Sequence, residues 1–90
     1  MNNEVITPKE LSIKLGLSIY VIRNMLDRHE FDKDTSKSRS PIIKNEKNRQ
    51  FLLEGLNNCL HNSHYCELFL SRFKRAVNIL KRQRWENEIS

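Results

Sequence analysis

Apolar residues recur at three- and four-residue steps in four stretches of this chain, separated by polar or glycine-marked breaks, and this predicts four helices. The first stretch has a full start signal. Thr7 stands at the N-cap, Pro8 at the first helical position, and Glu10 three residues after Thr7, where its carboxylate reaches back to a free backbone N–H. Ile6 and Leu11 form the hydrophobic staple across that cap, and Leu11 and Leu15 share the buried face. Gly16 follows where a left-handed residue must stop the helix. Ser18 caps a second helix, with Leu17 and Ile22 as its staple and Ile19, Ile22, Met25 and Leu26 as its buried stripe. Its wet face is left with Ser18, Tyr20, Arg23, Asn24 and Asp27.

Two short capped helices hinged at one glycine make a helix-turn-helix, whose second helix enters the DNA major groove with its N-terminal half. Ser18, Tyr20, Arg23 and Asn24 are then the side chains that face base edges and phosphates, with the helix Ser18–Arg28 as the reader. The same caps and spacing also suit a plain αα-hairpin inside another small helical protein.

After Arg28 the periodicity breaks, and DKDTSKSRSPIIK predicts a small β-hairpin wing. Phe31 and Ile42 or Ile43 pin its arms, Pro41 pushes Ser40 to extended geometry, and Lys37, Ser38 and Arg39 form the tip. The alternative is a surface loop with no partner. Asn45 caps a third helix that runs to about His61, with Glu46 in its first turn and Phe51, Leu52, Leu56 and Leu60 inward. Gly55 within it costs about 1 kcal/mol against alanine, so it marks a close helix crossing or an earlier helix end.

The last helix, from about Tyr65 to Trp85 or beyond, carries Cys66, Phe69, Phe73, Ala76, Val77 and Leu80 as a heptad-type seam, opposite Lys74, Arg75, Lys81 and Arg82. Leu68, Ile79 and Trp85 fall off that seam and leave more apolar surface than one small core needs. Phe69, Phe73, Ala76, Val77 and Leu80 are therefore expected at a homodimer interface, which would set two recognition helices roughly 34 Å apart. The competing use of the seam is to cover the domain's own core. The fold class expected is mainly α, a winged helix-turn-helix over residues 1–62 with a long C-terminal helix over 63–90.

The residues Thr7, Glu10-Leu11-Ser12, Gly16-Leu17-Ser18-Ile19 and Ile22-Arg23 resemble the opening of MerR-type winged-helix regulators and of the smaller excisionase-like proteins, where T-x-x-E-L-A precedes G-V-S-V-x-x-I-R. The likeness covers about the first third of the chain. It implies double-stranded DNA binding, as a small transcriptional regulator or an excisionase-like architectural factor, with Arg23 on the DNA. The chain departs from the pattern at Asn24 and Met25, where the family has aromatic residues. It departs again at Arg39 and Pro41-Ile42-Ile43, where the family's wing holds an arginine-tyrosine pair. No effector-binding domain of the MerR type fits in the remainder.

Composition narrows the partners. Ninety residues at 38% hydrophobic content predict one foldable domain, and a net charge of +5 with a pI near 9.5 favours a polyanion. Residues 1–31 balance four basic against four acidic side chains, whereas residues 36–49 hold five against one and residues 72–84 hold six against none. The excess lies outside the recognition unit, where it positions a domain without reading sequence. Lys37 and Arg39 on the wing, with Lys44, Lys47 and Arg49 at the start of the third helix, are the phosphate ligands expected.

No apolar run approaches the ~20 residues that span a bilayer, and the N-terminus lacks a signal-peptide pattern, so a cytoplasmic protein without membrane contact is expected. Two cysteines suit a reducing compartment. Cys59, His61, His64 and Cys66 have zinc-ligand chemistry, but one continuous turn rarely wraps a metal tetrahedrally, so no metal and no cofactor are expected. No oxyanion site, orienting third residue or phosphate-cradling loop accompanies them, and the chain does not read as an enzyme. The rival class is a protein–protein adaptor, such as an antirepressor or inhibitor from a mobile element, acting through the C-terminal helix.

Overall fold

A computed structural model describes residues 4–62, 65–83 and 85. Along the chain lie β1 (Val5–Ile6), α1 (Pro8–Leu15), α2 (Ile19–Asp27), β2 (Ile42–Ile43), α3 (Glu46–Leu60) and α4 (Glu67–Arg82).

The helix starts follow the local chemistry. The Thr7 hydroxyl accepts from the Glu10 N–H at 3.1 Å and the Glu10 carboxylate accepts from the Thr7 N–H at 2.9 Å, closing the capping box. These bonds hold the Glu10 carboxyl below its ordinary pKa. Ser18 caps α2 through the Val21 N–H, and Asn45 caps α3 through the Asn48 N–H. Each such cap is worth about 1 kcal/mol. Gly16 sits at φ 69°, and Ser12 ties the turn: its carbonyl accepts from the Gly16 and Leu17 N–H groups, and its hydroxyl donates to the Leu17 carbonyl. Ser12 thus fixes the angle between α1 and α2.

β1 was not foreseen from the sequence. It pairs antiparallel with β2, Val5 opposite Ile43 and Ile6 opposite Ile42, because Ile6 and Ile42 both bury an apolar side chain on the core. On the other side of β2 the segment after Phe31 adds one bridge, Lys33 to Ile42, with bonds Ile43 N–H to Asp32 O at 3.0 Å and Asp34 N–H to Pro41 O at 2.9 Å. The chain between, residues 34–41, folds back as a loop rather than as two regular strands. Ser40 is not extended as its position before Pro41 suggested. It has φ 39° and follows Arg39 at φ 67°, because the reversal closed by the Ser40 N–H on the Lys37 carbonyl needs left-handed backbone.

The core joins Leu11 and Leu15 of α1, Ile22 and Met25 of α2, Leu52 and Leu56 of α3, and Phe73, Ala76, Val77 and Leu80 of α4. α3 and α4 share the largest contact, and α1 also touches α4. Gly55 lies inside α3, not at its end: a Cβ there would stand 3.0 Å from the Met25 sulfur, so the glycine admits α2 to a close crossing.

The α4 seam is used differently from the dimer expectation. Phe73, Ala76, Val77 and Leu80 are buried in this domain's own core and cannot meet a second chain; of the five expected interface residues Phe69 alone is exposed, at 43%. α3 and α1 leave a hydrophobic face that a single small domain must cover, and the stripe of α4 covers it. Trp85 is likewise no surplus surface residue. α4 ends at Arg82, Gln83 takes extended geometry, and Trp85 folds back to 1% exposure with its indole N–H donating to the Gln83 side chain at 3.1 Å.

A candidate nucleic-acid interface

α2 turns Ile22 and Met25 into the core and leaves Ser18, Tyr20, Arg23 and Asn24 exposed, Tyr20 at 75%. Tyr20, Arg23 and Asn24 thus share the face of α2 opposite its core residues, and Ser18 stands exposed at its N-cap.

The 34–41 loop approaches the same region. Arg39 from the loop, Arg23 and Ile19 from α2, and Thr7, Pro8, Lys9, Ser12 and Ile13 from the start of α1 together line a groove of about 610 Å³. Left-handed backbone at two successive non-glycine residues is strained, on the order of 1–2 kcal/mol each, and such strain persists only where the surroundings hold it. The surroundings are visible: Asp34 bonds the Ser36 hydroxyl and N–H, which lowers its carboxyl pKa, and Pro41 is buried. Lys37 stays exposed at the turn, as expected of a tip.

The loop's base is held by a polar knot that the sequence did not advertise. Asn48 is fully buried; its amide donates to the Asp32 carbonyl at 3.0 Å and the Ile43 carbonyl at 2.7 Å, and its oxygen accepts from the Asp32 N–H at 3.0 Å. Asn45 donates to the Asp32 carboxylate at 2.9 Å and Lys47 at 3.1 Å, which together hold the Asp32 carboxyl below its ordinary pKa, the Asn45 bond contributing most. One residue of α3 thereby clamps both arms of the loop.

The three cations at the start of α3 fare unequally. Arg49 is not available to phosphate as expected: its guanidinium makes two 2.8 Å bonds to Glu46 and a third, at 3.1 Å, to the Leu80 carbonyl. It fastens the first turn of α3 to the last turn of α4, and its pairing pushes the Glu46 carboxyl down and the guanidinium up in pKa. Lys44 is drawn to Glu4 at 3.5 Å and lies over the Trp85 ring at 6.0 Å. Lys47 pairs with Asp32 but keeps its side chain 54% exposed.

Among the described residues the cysteine–histidine cluster does not converge on one point. Cys59 is half-buried in the last turn of α3, where burial pushes its thiol pKa up; His61 ends that helix and Cys66 stands exposed at the start of α4. His64 lies outside the described residues, among which no three His, Cys, Asp or Glu side chains converge as metal ligands. No helix among the described residues is long and apolar enough to cross a membrane.

Comparison of the chain with family models, with curated proteins and with solved structures gives no match.

Proposed function

We propose that this protein binds double-stranded DNA sequence-specifically as a winged helix-turn-helix domain of the MerR and excisionase-like type, acting as a small transcriptional regulator or an architectural factor. α2 lies in the major groove, and the 34–41 loop serves as the wing. The observation that carries this reading is the exposure of Tyr20, Arg23 and Asn24 on the face of α2 opposite its core residues, with Ser18 exposed at the N-cap and Arg39 lining a groove with Arg23. Arg23 and Asn24 are the base readers, Lys37 and Arg39 the loop's phosphate contacts, and Lys47 a further one at the edge.

Selecting bound sequences from a random duplex pool, then titrating them against salt, tests the reading. A binder making several phosphate contacts loses orders of magnitude in affinity between low and physiological salt. Arg23→Ala is expected to weaken the selected site by about 1–3 kcal/mol, while Lys37→Ala weakens all duplexes alike and flattens the salt slope. Equal binding of wild type and Arg23→Ala to every duplex would remove α2 from the groove.

A second reading has one observation behind it. Leu68 and Phe69 on α4 are 60% and 43% exposed, with the Arg72 guanidinium 5.7 Å over the Phe69 ring, a surface an adaptor could offer to a protein partner. Affinity through that face would survive salt that strips DNA.

A further inference from the structure

We infer that the groove between α1, the start of α2 and the 34–41 loop seats one nucleotide of a bound DNA strand, its phosphate held by Arg39 and Lys9, its base edge toward Arg23 and its sugar on Ile13 and Ile19. This rests on the DNA-binding reading and adds to it a ligand-sized site and a residue, Ile13, that no helix-turn-helix argument requires.

Charge gives the first reason. Lys9, Arg23 and Arg39 line the groove, no carboxylate lines it, and none of the three forms an ion pair with a described residue. The neighbouring Glu10 carboxylate is spent on the α1 cap. Cations gathered without a counter-charge repel one another, and an anion from outside relieves that repulsion. Size gives the second. A volume of about 610 Å³ falls among sites that hold a whole organic ligand, and it exceeds what a lone phosphate fills. The third is the apolar part of the lining: Pro8, Ile13 and Ile19 line the same groove as the cations, and Ile13 is 73% exposed, outside the hydrophobic core. A nucleotide combines an anionic group with an apolar sugar face, and matches both parts of the lining.

The strained backbone explains how the rim is kept. With Arg39 at φ 67° and Ser40 at φ 39°, the loop delivers the Arg39 side chain to the groove before any DNA arrives. Arg39 is a phosphate ligand, and Ser40 is a positioning residue that acts through it.

The test uses the full chain and duplexes selected by the wild type from a random pool, with melting temperatures measured in parallel. Ile13→Ser is expected to lower affinity about tenfold at unchanged melting temperature, since the side chain is mostly outside the fold. Ser40→Gly is expected to raise the melting temperature, because glycine takes a positive φ freely, and yet to lower affinity several-fold as Arg39 loses its fixed station. If both variants bind like wild type while Arg23→Ala binds weakly, the nucleotide seat is refuted and the DNA-binding reading stands. If the wild type enriches no duplex, both fall. Capture of a polyglutamate chain by wild type but not by Ile13→Ser would then give the groove to an acidic protein segment.

Discussion

Asn48 satisfies three backbone groups from two segments that lie on opposite sides of the loop, and it is fully buried. Asn48→Ala is expected to destabilise the domain by about 3 kcal/mol, measured by denaturant unfolding, since each stranded buried group costs about 1–3 kcal/mol and some relaxation follows. Asn48→Asp should fare little better, because a carboxylate cannot donate to the two carbonyls. Residues such as Thr7, Gly16 and Ser18 were legible in the sequence because their work is local: a cap or a left-handed turn involves atoms three or four positions away. Asn48 was not legible, since its partners are 16 and five residues distant and the surrounding stretch of α3 is polar. Arg49 was misread for a related reason. Its charge is visible in the chain, but whether a carboxylate and a helix end meet it is decided by the fold.

At the scale of elements, the crossing of α2 over α3 depends on what Gly55 lacks. Gly55→Ala in the wild-type background is expected to lose about 1 kcal/mol in thermal or denaturant unfolding: overpacking against Met25 costs more than the gain of about 1 kcal/mol in helix propensity returns. With Met25→Ala already present the clash is gone, and the same Gly55→Ala substitution should become stabilising by about 1 kcal/mol, a reversal of sign that a double-mutant cycle reads directly. The extents of α1, α2 and α3 could be read from periodicity to within a residue or two. Which partner the α4 stripe would choose could not, because a heptad-type seam describes one surface and is silent about the other. β1 escaped notice for the same reason, being two residues whose only mark is pairing with a distant strand.

For the whole molecule, the consumption of Phe73, Ala76, Val77 and Leu80 inside the domain changes the expected solution behaviour. A monomer is expected in sedimentation at micromolar concentration, with any pairing confined to weak contact through Leu68 and Phe69. A monomer would select a single asymmetric half-site from the duplex pool, whereas a tight dimer would select a palindrome and would require a surface other than the α4 seam.

Trp85 carries a consequence for biosynthesis. Its side chain is buried in a core otherwise assembled from residues between 6 and 80, so a growing polypeptide that has emerged as far as α4 still lacks the ring that belongs there. At translation speeds of about 5–20 residues per second, the segment through α4 emerges with that place unfilled, and its packing is expected to tighten only after residue 85 has followed.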